Sequence, residues 1–249
     1  MSFTLGNKTA AQLNLIMLRD NDWQALPPTR ERSIEIPGRS GRYYVGMDMG
    51  VRQFNLECEF YKAANRAALE THIRTLTDHL LDDQGRSKEL TLKFDDDESR
   101  EYKVRYIGTL NIRKLVNTGV FTIPLVAYDP YAYGSEVTID LGNTGEEENE
   151  GDVTAYPFIT VTFTNASETF KLEKSSGEEF ISFSAVFEDG DELFIDCQNL
   201  LVSLNSDNVF DLIDPYSSFW GILPGEQINP VITPAGVATI EIKFRPRWL

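Results

Sequence analysis

The sequence predicts a mostly β protein built as two domains, and three observations carry that expectation. Short segments in which apolar and polar residues alternate, the period of a half-buried strand, recur along most of the 249 residues. One stretch alone keeps a helical period: between Asn65 and Leu81, Leu69, Ile73, Leu76 and Leu80 follow one another at +4, +3 and +4 and form a single apolar stripe. The charge also divides the chain. Residues 1–133 hold 18 basic and 18 acidic side chains, whereas 134–249 hold 5 and 21, so the second part carries the entire net charge of −16.

In the first part, Ser33–Ile36 and Arg52–Phe60 alternate cleanly, the latter turning Phe54, Leu56, Cys58 and Phe60 inward. Glu89–Phe94 and Glu101–Ile107 flank the acidic run Asp95–Arg100 and read as a hairpin. Gly119–Tyr128 supplies a further strand, and Asp129-Pro130-Tyr131-Ala132-Tyr133-Gly134 supplies turn and boundary signals. One helix packed on a sheet is the simplest arrangement. The second part shows no sustained helical period. Its alternating segments are Val137–Leu141, Phe158–Thr164, Thr169–Lys174, Phe180–Phe187, Glu192–Cys197, Leu200–Leu204, Ile228–Thr233 and Val237–Phe244, with turns at Gly142-Asn143 and Asp189-Gly190. They predict an antiparallel sandwich.

Composition narrows the function. A net charge of −16 excludes a bare nucleic-acid-binding module, which needs a cationic surface to displace counterions from phosphate. The N-terminus lacks the basic-then-apolar pattern of a signal peptide, and no apolar run approaches the roughly 20 residues that cross a bilayer, so a soluble protein made in a cytoplasm is expected. Cys58 and Cys197 fall in core-facing phase and read as small hydrophobes. His72 and His79, the sole histidines, lie about 10 Å apart along the helix and cannot share one metal ion. Gly38-Arg39-Ser40-Gly41-Arg42 lacks the final glycine of a nucleophile elbow and reads as a turn between strands. The acidic runs Asp95–Glu98, Glu146–Glu150 and Glu188–Glu192 lack calcium-loop spacing and read as solvated loop tips. No cofactor motif is found, and no enzyme activity is expected.

What remains is surface suited to binding protein. Residues 36–52 combine four glycines, three arginines and the adjacent Tyr43 and Tyr44, and Arg and Tyr favour interface cores. The competing reading is an extended Gly-rich loop with solvated arginines.

Taken in order, the Ile36-Pro37-Gly38-Arg39-Ser40-Gly41 turn, the Arg52–Phe60 strand, the helix ending in Leu80-Leu81, the Asp129-Pro130-Tyr131 junction, and the ending from Phe219-Trp220-Gly221-Ile222-Leu223-Pro224-Gly225-Glu226 to Trp248-Leu249 resemble the distal tail proteins of long, non-contractile-tailed phages infecting Gram-positive bacteria. The resemblance spans the whole chain. It implies a ring-forming, tail-tube-like domain over 1–133, a split-barrel-like or sandwich sheet with one packed helix. It implies a galectin-like antiparallel β-sandwich over 134–249. The implied function is a homo-hexameric ring at the virion tail tip, joining the tail-tube protein to the tail-associated hub protein and letting DNA pass without stable binding; some relatives also hold receptor-binding proteins. If six copies assemble, their acidic second parts repel one another, so ring closure is expected to rest on the neutral first part. Arg39, Arg42, Tyr43, Tyr44 and Arg52 are the residues expected to reach a neighbouring subunit or the tube. The alternative function is a carbohydrate-binding module for host-surface glycans, with Trp220, preceded by Tyr216 and Phe219, as the stacking platform.

Overall fold

In the computed structural model, which describes residues 2–18, 24–140, 147–175, 177 and 179–249, the chain builds two units: Met1–Ala132 together with Leu249, and Tyr133–Trp248.

In the first unit seven antiparallel strands lie in the order Lys8–Thr9, Phe3–Leu5, Glu89–Phe94, Asp97–Tyr106, Gly119–Ala127, Arg52–Phe60 and Leu15–Met17. The two outermost strands are consecutive segments of the N-terminus. From Thr9 to Leu15 the chain reaches at most about 20 Å, whereas seven strands laid flat span about 29 Å. The sheet therefore curls into a half-barrel. Bonds from Ala10 N to Phe3 O (2.9 Å) and from Leu15 N to Ala10 O (2.8 Å) hold the two edges near each other. Arg52–Phe60 pairs with Gly119–Ala127 along almost its full length, from Val120↔Glu59 to Ala127↔Arg52, and its alternation buries Phe54, Leu56, Cys58 and Phe60 as expected. Helix α1, Arg66–Leu80, begins where the Asn65 side chain accepts the Ala68 N–H at 2.9 Å, and it lays Leu69, Leu76 and Leu80 into that core. His79 goes in with them, its Nε2 lying 2.7 Å from Leu5 O.

The second unit is a sandwich. Its larger sheet orders Val137–Asp140, Ala238–Phe244, Phe158–Phe163, Glu192–Asp196, Leu201–Leu204 and Asp207–Asn208; its smaller one orders Phe180–Phe183, Phe170–Glu173 and Val231–Thr233. Ala238, Ile240, Ile242 and Phe244 are all buried, as their phase requires. Phe163 stacks on Phe187 with ring centroids 4.2 Å apart, and Phe170 meets both edge-on. Both cysteines are buried and unbridged, and burial pushes each thiol up to about 12.

Three details differ from expectation. The Asp95–Arg100 run is not a six-residue loop: the turn is Asp95-Asp96 alone, and Asp97 already pairs with Phe94. Tyr43–Met49, within the stretch whose competing reading is an extended Gly-rich loop, is a strand. The N-terminal strands Phe3–Leu5, Lys8–Thr9 and Leu15–Met17 are too short to show a period. The expected turn Gly142-Asn143, the strand end at Leu141 and the start of the acidic run at Glu146 lie outside the described residues. Among the described residues no helix is long and apolar enough to cross a membrane.

Candidate assembly interface

Thr29–Ile34 and Tyr43–Met49 form a two-stranded sheet of their own, and no other described strand pairs with either edge. Gly50 N donates to Pro28 O at 2.7 Å and closes its base. At the tip, Gly38 and Gly41 adopt φ of +83° and +87°, a region that costs little for glycine alone, so the Pro37–Gly41 segment can reverse the chain tightly. The register puts Thr29, Met49, Glu31, Met47, Ser33 and Tyr44 on one face and Arg30, Asp48, Arg32, Ile34 and Tyr43 on the other. Between Arg32↔Gly46 and Ser33↔Tyr44 the partner strand carries Val45 as an extra residue, a bulge that turns the tip relative to the base.

Almost nothing covers this hairpin. Tyr44 is 66% exposed and Val45 60%, and Ile34, Ile36, Tyr43 and Met47 are exposed as well. The charges are held within the element. Arg32 grips Asp48 through two bonds, which keeps the Asp48 carboxyl below the usual carboxylate range, and Arg42 bonds Glu35. The Arg39 guanidinium lies 4.1 Å from the centroid of the Tyr43 ring. Arg39, Arg42, Tyr43 and Tyr44 are thus gathered on one projecting tip.

Arg52 does not join them. It occupies the inward phase of its strand, is 3% exposed, and donates to Tyr102 Oη at 3.0 Å and Ala25 O at 3.3 Å. A guanidinium so enclosed cannot be offered to a neighbour across an open surface, which corrects its place in the expected interface. Trp220 is corrected likewise. It is 1% exposed within the core of the second unit, so no sugar ring can stack on it. Tyr216 beside it is exposed, while Phe219 packs on Phe210 with centroids 6.2 Å apart. Among the described residues no three His, Cys, Asp or Glu side chains converge to hold a metal ion.

Sequence reasoning placed Val45 and Met47 within the protein-binding stretch 36–52 but did not extend that surface to Ile34. The signal available was the alternating Ser33–Ile36 segment on the other side of the Pro-Gly turn.

Two family matches cover most of the chain: residues 11–127 match the phage tail protein RIFT-related domain, and residues 150–248 match the C-terminal domain of the siphovirus-type tail component. The distal tail protein of Bacillus phage SPP1 is 26% identical over 175 residues, covering 69% of this chain and 68% of its own. The crystal structure of the SPP1 Dit protein, described as a paradigm of the hub adsorption apparatus in Gram-positive-infecting phages, superposes with a TM-score of 0.77 over 99% of both chains at 17% identity. A chain of the phage P2 baseplate in its activated conformation gives 0.48 over 97% of both chains at 8% identity. The half-barrel with its helix, followed by a sandwich, together with the two family matches and the SPP1 relative, defines a phage tail protein. Within that class the chain belongs to the siphophage distal tail protein family. Its role is structural, at the tail tip.

Proposed function

We propose that the chain closes a homo-hexameric ring at the tail tip, joining the tail tube to the hub protein, and that the 29–49 hairpin is the element through which it assembles. The observation that carries this reading is the hairpin's isolation. A two-stranded sheet alone in water is at best marginally stable, and this one exposes Ile34, Ile36, Tyr43, Tyr44, Val45 and Met47 together. Exposed apolar groups gathered on a projecting element mark a protein-binding surface. A heterologous contact repeated around a closed rotation would cover it in every copy. The charge distribution supports the same division of labour. The first part is balanced at 18 to 18, while the 21 acidic against 5 basic residues of the second favour keeping those units apart and in solvent. A ring without net cationic character suits a conduit through which DNA slides. The SPP1 protein's description as a paradigm of the hub adsorption apparatus supports a place among hub components; the tail-tube protein, the hub protein and receptor-binding proteins are its proposed neighbours. Assembly would take place in the host cytoplasm.

Native mass spectrometry of the full chain, alone and with the hub protein, tests the reading. A species of six copies is expected for the wild type. The double variant Arg39→Glu, Arg42→Glu should remain monomeric while unfolding at an unchanged denaturant midpoint. A hexamer formed equally well by the variant would exclude the hairpin tip as the contact, and no hexamer under either condition would exclude the ring.

A further inference from the structure

In the larger sheet of the second unit, the residues that alternate with the core-facing ones form rows across the strands. Thr138, Lys243, Phe158, Asp196 and Leu201 make one row; Asp140, Glu241, Thr160, Phe194 and Ser203 make the next. Phe158, Phe194 and Leu201 are exposed, and the two rings stack on each other with centroids 6.0 Å apart. Exposed apolar groups gathered on one sheet face mark a protein-binding surface. The charges around them are mostly of one sign. Asp140 and Glu241 stand directly opposite each other on neighbouring strands, a like-charge pairing that costs stability, and Glu192 lies two residues before Phe194 on the same face. One lysine answers them. Lys243 bonds Glu241 at 2.7 Å, and that bond, with Glu136 and Asp140 nearby, raises its ammonium above the ordinary lysine value. Asp140 and Glu192 form no ion pair among the described residues. A cavity of about 470 Å³ is lined by Asp140, Glu241, Thr160, Thr162 and Thr239, and Thr160 is the cross-strand neighbour of Phe194.

We infer that this face docks a cationic segment of a partner polypeptide, with an Arg side chain at Asp140 and Glu241 and an apolar residue on the Phe158–Phe194 pair. Charge complementarity selects that occupant. A guanidinium relieves the repulsion of two facing carboxylates, its planar fork can bond both, and its volume is accommodated by the cavity. Glu241 and Phe194 are two strand spacings apart, about 10 Å, a span that about three residues of extended chain cover. A nucleic acid or other polyanion would meet the carboxylates and be repelled. A neutral saccharide would leave Asp140 and Glu241 facing each other unrelieved, and the same face of a second copy carries the same charges. The acidity that favours separation of the sandwich units therefore also draws a partner of opposite charge. The face is separate from the 29–49 hairpin and does not depend on the number of copies in any ring.

The test titrates the full chain with the capped peptide Phe-Gly-Gly-Arg, and in parallel with Phe-Gly-Gly-Glu, while the Phe194 ring and the Thr160 and Thr162 methyl groups are followed by NMR. Saturable shifts with the Arg peptide, absent with the Glu peptide, are expected. Asp140→Asn, which removes the like charge opposite Glu241, should unfold no earlier than the wild type yet require roughly tenfold more of the Arg peptide. Shifts with both peptides alike, shifts with neither, or an unchanged titration of the variant would overturn the proposal, and the wild-type comparison holds even if the variant fails to fold. Equal shifts with lactose would give the face to a saccharide, and shifts on raising the protein concentration alone would give it to a second copy; either overturns the proposed partner. Each readout is made on the unassembled protein, so failure here leaves the hexamer reading standing.

Discussion

At the residue scale, burial decides what each singled-out side chain can do. Trp220 and Tyr216 stand four positions apart, yet the first is enclosed and the second is 85% exposed. Trp220→Ala should cost about 3–5 kcal/mol in denaturant unfolding, as truncation of a large buried aromatic does, while Tyr216→Ala should leave the midpoint nearly unchanged. Equal effects would place Trp220 at the surface. His79 gives a pH dependence. Burial is the main cause that lowers its value below the ordinary one; Lys8 and Lys88 lower it further, and the bond to Leu5 O opposes them. The unfolded chain therefore binds the proton first, so this contribution to stability is complete above about pH 6.5 and is lost as the pH falls below it. The urea midpoint of the wild type should fall between pH 7 and pH 5.5 more steeply than that of His79→Gln. Parallel slopes would show that His79 titrates alike in both states.

At the element scale, the 29–49 hairpin is set apart from the sheet that follows it. Arg52–Phe60 is paired on both edges, by Gly119–Ala127 and by Leu15–Met17, and buries one face; the hairpin strands have one partner each and bury neither face. Amide hydrogen exchange of the monomer should show low protection over 29–34 and 43–49 and high protection over 52–60 and 119–127. The difference should shrink when the protein assembles. Uniform protection in the monomer would mean that the hairpin is not waiting for a partner. The same contrast explains what was legible in the sequence. Helical period revealed α1, and alternation revealed the Arg52–Phe60 strand and the sandwich strands, because one face of each is buried. Tyr43–Met49 has no buried face, and its Gly46 and bulge at Val45 break the period, so no strand is legible there. The tip residues Arg39, Arg42, Tyr43 and Tyr44 were legible from composition. The enclosure of Arg52 was written in its phase with Phe54 and Leu56, but a charge at an inward position resists that reading until its acceptors Tyr102 and Ala25 are seen.

At the scale of the whole molecule, charge and fold divide along the same line. The half-barrel unit has no net charge to oppose close approach of its copies, and it carries the uncovered hairpin; the sandwich unit holds the acidic excess and buries Phe163, Phe170, Phe183, Phe187 and Trp220 in its core. Assembly through the first and separation of the second is the arrangement with the least repulsion for a closed set of identical chains. Cryo-electron microscopy of tail tips containing this protein tests that arrangement most directly. The expected map shows hairpins 29–49 packed between neighbouring subunits around a closed six-fold ring, with the acidic sandwich units out of contact with one another. Sandwich units packed together around the axis, with the hairpins left in solvent, would contradict it.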